Sequence, residues 1–182
     1  KFVIMYSGTL AKRYGIMNLL SAFSMINENN FELWICGDGD GKTEVIDFAN
    51  QNRRIKYFGQ INYEDIIKMQ KKVNVLVNPR LPDDEFTQYS FPSKTMEYLA
   101  SGTPSIAYKL EGIPSEYYPF IIFPESNDIE SLHNSILKVY RMTEEERFSI
   151  GMKAKSFIFE NKLPKSQTKK IIDLIFNHEN KR

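Results

Sequence analysis

Three side chains in the stretch "YSFPSKTMEYLASGTPSIAY", residues 89–108, are spaced to do chemistry together: Ser93, Lys94 and Glu97. Pro92 suits the first position of a helix, where its missing N–H costs nothing, and Ser90 or Phe91 then falls at the cap. The first-turn amides of Ser93, Lys94 and Thr95 have no intrahelical acceptor and, with the helix dipole, form an anion site. The Ser93 hydroxyl and the Lys94 ammonium add donors there. Glu97 shares the face of Ser93 and Lys94, roughly 6 Å further along the axis. That order suits a diphosphate at the helix mouth and a ribose behind it, whose two hydroxyls a carboxylate accepts in a bidentate grip. The plainer alternative is a surface i,i+3 ion pair with Ser90 as an ordinary cap.

A second glycine turn tips the balance toward a site. In "YSGTL", residues 6–10, Gly8 ends an apolar run and lets the backbone approach a phosphate closely, and the basic "AKRYG" follows.

The elements that must hold these groups alternate. Short apolar runs, "FVIMYSG", "FELWICG", "RIKYFG", "VNVLVNP", "TPSIAY" and a weaker "PFIIFP", read as strands. Helical segments fall between them at 16–28, 43–52, 63–71 and 92–101, the first with Leu19, Leu20, Phe23 and Ile26 on one stripe. Three further helices follow, at 128–141, at 143–161 opened by acids in "TEEE", and at 166–177. The pattern predicts an α/β fold, a single doubly wound parallel sheet of about six strands with C-terminal helices. The irregular stretch 79–92 follows the fourth strand, where open α/β sheets bind ligands.

The 182 residues, 42% hydrophobic and 26% charged, suffice for one well-cored domain. Lys plus Arg number 24 against 23 for Asp plus Glu, so no global field draws nucleic acid, and any basic site is local. No stretch approaches the roughly 20 apolar residues that span a bilayer, and no signal peptide opens the chain, so a cytoplasmic location is expected. The single cysteine, Cys36, excludes an internal disulfide and reads as a buried small hydrophobe. Because "KFVIMYSG" opens at once on a strand, the chain is expected to be a domain of a longer protein.

Three other patterns fail on spacing or specificity. "GDGDGKT", residues 37–43, ends like a phosphate loop, but the first glycine of that motif falls on Cys36. The third glycine of a dinucleotide fingerprint falls on Lys42. Asp38 and Asp40 form a metal-binding Asp-x-Asp only by a three-residue coincidence, and a strand-to-helix turn is the simpler reading. His133 and His178 have no partners placed for a triad or a metal cluster, so no catalytic residue and no metal ligand is assigned.

With these residues in view, the chain resembles the group 1, or family 4, nucleotide-sugar glycosyltransferases of the GT-B fold, and specifically their C-terminal, donor-binding, Rossmann-like domain. The resemblance runs from about residue 3 to about residue 175, carried by "SGTLAKRYGIMNLLSAF", "LWICGDGD", "IKYFGQINYEDI", "VNVLVNPR" and "FPSKTMEYLASGTPSIAYKLEGIPSEY". It implies that residues 1–182 bind a nucleoside diphosphate sugar, a uridine diphosphate sugar first, for hexosyl transfer without a metal or other cofactor. It further implies an N-terminal acceptor domain absent from this chain, inactivity of the isolated domain, a surface-polysaccharide or lipopolysaccharide product, and room for peripheral membrane association of the full enzyme.

Carried over by position, Glu97 matches the second glutamate of the family's Glu-seven residues-Glu motif, which grips the ribose. Gly8 and Thr9 match the glycine turn at the pyrophosphate, Tyr57, Phe58 and Gly59 the segment edging the base, and Asp38 the loop after the second strand. Glu116, in the loop carrying Tyr117 and Tyr118, is a weaker candidate. Three positions depart from the family: Tyr89 stands for the first glutamate, Thr9 for a common arginine and Tyr14 for a common lysine. Lys12, Arg13 and Lys94 are expected to supply the charge instead. The expected donor-binding set is therefore Gly8, Thr9, Arg13, Phe58, Tyr89, Ser93, Lys94, Thr95 and Glu97. Tyr89 leaves both stereochemical outcomes open. Two alternatives stand beside transfer: a nucleotide-sugar epimerase, disfavoured by the lack of a cleft histidine, and a non-catalytic binding module. A receiver-like module needs an aspartate at a strand end, where Ser7, Gly37 and Asn78 stand.

Overall fold

The structure, a computed structural model, describes residues 1–82, 91, 93–164 and 166–168. Strands β1 (Phe2–Ser7), β2 (Phe31–Cys36), β3 (Ile55–Tyr57), β4 (Val75–Asn78) and β5 (Ser105–Ala107) form a parallel sheet in the order β3-β2-β1-β4-β5. The chain winds outward in both directions from β1. The switch point therefore lies between β1 and β4, and the strands' carboxyl ends there frame a crevice.

The strands are apolar on both faces because helices cover both. Ile4, Tyr6, Leu33, Ile35, Val75 and Val77 pack in one core with side chains of α1 (Ile16–Ser24), α2 (Lys42–Gln51) and α5 (Ile129–Arg141). Their alternate neighbours Met5, Cys36 and Leu76 pack with Ile66 of α3 (Tyr63–Gln70) and Tyr98 of α4 (Ser93–Ser101). Leu99 of α4 joins Ala154 and Ile158 of α6 (Glu144–Asn161) in a third cluster. α6 lies close on the turn after α4: a Cβ built on Gly151 would stand 1.8 Å from the Gly102 carbonyl oxygen.

Helix starts follow their caps. Asn62 accepts from the Asp65 amide and Asp128 from the Ser131 amide, and Thr143 with Glu146 closes a full capping box.

Two expectations are revised. The first helix stops at Ser24, short of the expected 28, and beyond its end the Arg54 guanidinium takes the Ile26 and Glu28 carbonyls at 2.8 and 2.9 Å. The sheet, expected to have about six strands, shows five among the described residues. "PFIIFP" contributes an isolated bridge, Ile106 to Ile122, since Pro119 and Pro124 bracket too short a run to extend a ladder. The cap candidate Ser90, Pro92 at the expected first helical position, the site candidate Tyr89, His178 and the 166–177 helix beyond residue 168 lie outside the described residues.

Candidate nucleotide-sugar site

The carboxyl ends of β1 and β2 meet through glycine. The Gly8 amide donates to the Cys36 carbonyl at 3.0 Å and the Gly37 amide to that of Gly59 at 2.8 Å. A Cβ on Gly37 would lie 1.8 Å from the Gly8 carbonyl oxygen, and its φ of 138° is one that side chains resist. Glycine at 37 is what lets the two turns touch. The Tyr6 hydroxyl then fixes the Gly8–Thr9 turn by donating to the Thr9 carbonyl at 2.6 Å.

A cleft opens on each side of this turn. One, of about 410 Å³, has Ser7, Asp38, Gln60, Ile61 and Tyr63 in its walls and Glu97 at one side. The other, of about 300 Å³, is bounded by Tyr14, Asn78, Arg80, Phe91 and Ser93. Gly8, Thr9 and Lys94 line both. Ser93 and Lys94 open α4, whose first-turn amides a helix leaves without intrahelical acceptors.

Glu97 faces the larger cleft with its side chain 20% exposed. Lys94 donates to Oε1 and Oε2 at 3.3 and 3.2 Å, so the plain i,i+3 pair also forms. Such a half-screened pair is worth under about 1 kcal/mol, little enough for a ligand to displace. The buried Gln70, last residue of α3, donates to Glu97 Oε1 at 2.5 Å and to Ser7 Oγ at 3.2 Å. Tyr98 holds the end of β1 beside them, accepting from the Ser7 amide at 2.9 Å and donating to the Ser7 carbonyl at 3.2 Å. Burial pushes the Tyr98 hydroxyl far above the usual tyrosine range, so it acts as a neutral link.

The sequence model of the family described as glycosyl transferases group 1 matches residues 1–157. The chain belongs to the group 1 glycosyltransferases. No curated protein matches it by sequence. Among solved glycosyltransferase-fold structures, Alr3699/HepE of Anabaena, determined in complex with UDP, superposes with a TM-score of 0.77 at 16% identity, over 97% of this chain and 49% of that one. Sucrose-phosphate synthase of Thermosynechococcus elongatus gives 0.76 at 19% identity, over 98% and 46%. The C-terminal domain of the group 1 family protein LpcC of Francisella tularensis gives 0.67 at 15%, over 87% and 85%. At these identities the likeness is one of fold. The chain spans about half the length of the first two relatives.

Within this glycosyltransferase domain the expected residues divide. Gly8, Thr9, Ser93, Lys94 and Glu97 come together around the two clefts. Thr95 turns its side chain into the interior, its hydroxyl 3.4 Å from Asn78 Nδ2, and offers only a first-turn amide. Phe58 is in the lining of neither cleft; it is 43% exposed and edge-on to Trp34 at 5.5 Å. Arg13 sits on a short 3-10 turn (Lys12–Tyr14), its guanidinium 5.1 Å from the ring centre of Tyr14, which lines the smaller cleft; Arg13 itself is in the lining of neither cleft. Lys12 pairs with Glu44.

The Asp38–Asp40 pair is occupied locally. Asp38 pairs with Lys42 at 3.1 Å, which holds its carboxyl below the usual range, and Asp40 accepts from the Lys12 amide at 2.9 Å. Glu116 pairs with Lys162, outside both clefts, and His133 lies on α5, also outside them. Cys36 is buried, and burial pushes its thiol up to about 11, as for an inert packing residue.

Sequence reasoning did not select Gln60, Ile61, Tyr63, Arg80 or Gln70. Gln60 and Ile61 directly follow the Phe58–Gly59 segment, and Arg80 closes "VNVLVNPR", so a search extended past each strand end finds them. Gln70 sends no such signal.

Proposed function

We propose that this glycosyltransferase domain binds a nucleoside diphosphate sugar, a uridine diphosphate sugar first, and supplies the donor half of a hexosyl transfer in surface-polysaccharide or lipopolysaccharide synthesis. The observation that carries this reading is the pairing of Glu97 with Lys94 beside the Gly8 turn, with a cleft on either side. The nucleoside fills the larger cleft, its ribose hydroxyls donating to Glu97. The diphosphate crosses Gly8 and Thr9 at the head of α4, and the sugar enters the smaller cleft toward Tyr14 and Arg80. As the glycosyl bond breaks, charge gathers on the departing diphosphate, and preorganised amides with Lys94 stabilise it. Family membership supports the reaction class, and the UDP held by Alr3699/HepE supports the choice of nucleotide.

In this scheme Lys94 and the helix amides supply the positive field, so neither a metal nor another cofactor takes part. The acceptor and any general base come from a further half of the enzyme, so this chain alone binds nucleotide and transfers little. No helix among the described residues is long and apolar enough to cross a membrane. The reading places the domain in the cytoplasm, with any membrane contact peripheral.

Calorimetric titration with UDP and with GDP, each with Mg²⁺ and with a chelator, tests this. Saturable UDP binding that the chelator leaves unchanged is expected. Absence of binding by either nucleotide, or a requirement for Mg²⁺, overturns it.

A further inference from the structure

We infer that Gln70 is a positioning residue for the ribose-gripping carboxylate of Glu97, an inference that rests on the donor-binding reading above. Gln70 belongs to a different helix from Glu97 and lines neither cleft, yet its side-chain amide makes the 2.5 Å contact to Glu97 Oε1. It is fully buried and reaches the site from behind.

Three observations favour positioning over packing. First, the amide orientation is dictated by Glu97: a carboxylate only accepts, so Gln70 Nε2 faces its Oε1 at 2.5 Å, and the same nitrogen donates to Ser7 Oγ at 3.2 Å. Its Oε1, in turn, is buried and meets no partner among the described residues. A buried acceptor left unmatched is a cost that a purely structural residue would avoid. Second, the backbone of Gln70 is tied down: its carbonyl accepts from the Thr103 hydroxyl at 2.7 Å, past the far end of α4. The amide is thus referred to both ends of the helix that carries Glu97. Third, Lys94 has two duties and Gln70 one. Lys94 holds both oxygens of Glu97, but a diphosphate at the head of α4 draws the ammonium away. A neutral, buried amide is not drawn by that charge. It keeps the carboxylate aimed at the cleft at the moment its ion-pair partner leaves.

The test uses Gln70→Met, which keeps the side chain's length and removes the amide. UDP and 2′,3′-dideoxy-UDP are titrated into the unmodified chain, Gln70→Met, Glu97→Gln and the double variant, with thermal melts as a fold control. The unmodified chain is expected to prefer UDP over the dideoxy compound. Gln70→Met is expected to weaken UDP by about tenfold while leaving the dideoxy compound within about twofold. In the Glu97→Gln background the Gln70 change is expected to add almost nothing, since it acts through that carboxylate. Equal weakening of both compounds, or full additivity in the double variant, overturns the inference and leaves the donor-binding reading standing. Failure of the unmodified chain to bind UDP sinks that reading, and this inference with it. Should Gln70→Met not fold, the side-chain amide proton resonances of Gln70 decide. They are expected to shift in Glu97→Gln, and unmoved resonances overturn the contact itself.

Discussion

The two ends of α4 are built on opposite principles. At its head, Lys94 and Glu97 pair across a cleft wall through side chains a ligand can rearrange. At its tail, Gly102 turns the chain with φ of 85° and its carbonyl lies where a Cβ on Gly151 of α6 would have to go. One end has partners it can exchange; the other has backbone against backbone, with no slack. The contrast shows how a single nine-residue helix serves a site: rigidity is placed at the end away from the ligand, so that adaptability is affordable at the other.

If that contrast holds, the largest stability effect comes from the tail. Gly151→Ala is expected to cost about 2–3 kcal/mol by overpacking, read as a lowered midpoint in urea or heat, while UDP affinity of the folded fraction stays within about twofold. A neutral Gly151→Ala would show that α6 can shift and that the tail is not fixed.

Changes at the head are expected to do the reverse. Glu97→Gln should weaken UDP by about thirtyfold, close to 2 kcal/mol, with the melting temperature nearly unchanged. Lys94→Ala should weaken UDP by about tenfold and uridine by much less, because the ammonium answers the phosphates. Arg13→Ala should have the smaller effect of the two cations, since Lys94 lines both clefts and Arg13 is in the lining of neither. Equal losses for Lys94→Ala and Arg13→Ala would make the 3-10 turn part of the anion site.

The smallest effect is one of pH. Burial raises the Cys36 thiol from 9.0 to about 11 and the Tyr108 hydroxyl from 10.0 to about 12. The folded state then binds these protons more tightly than the unfolded one, so their contribution is complete below about pH 9 and is lost as pH rises toward 11–12. Thermal midpoints should decline across that window and be flat below it, so that the effect is nil near neutral pH. A flat profile through pH 11 would show that these groups are more hydrated than their packing implies.

Most of the fold could be read from periodicity because each element announces itself locally. The α2, α3, α5 and α6 segments differ from their expected limits by about a residue, since caps such as Asn62, Asp128 and Thr143 lie in the sequence itself. The sheet order could not be read that way, because it depends on which strands pair across the chain. The head of α4 was legible for the same local reason: Ser93, Lys94 and Glu97 lie within one helical turn and share a face. Gln70 was not. Its partners Glu97 and Ser7 are 27 and 63 residues away, and its own helix shows only an ordinary amphipathic ending. Arg13 was selected for its charge, a property that spacing alone does not aim.

The bond from the Ser7 amide to the Tyr98 hydroxyl has a practical consequence. An amide sealed by the strand ladder exchanges with solvent deuterium only when the sheet opens. This one is sealed by a helix 91 residues further along. Its exchange rate therefore reads out the docking of α4 against β1, a single-proton gauge of whether the floor beneath the two clefts is seated.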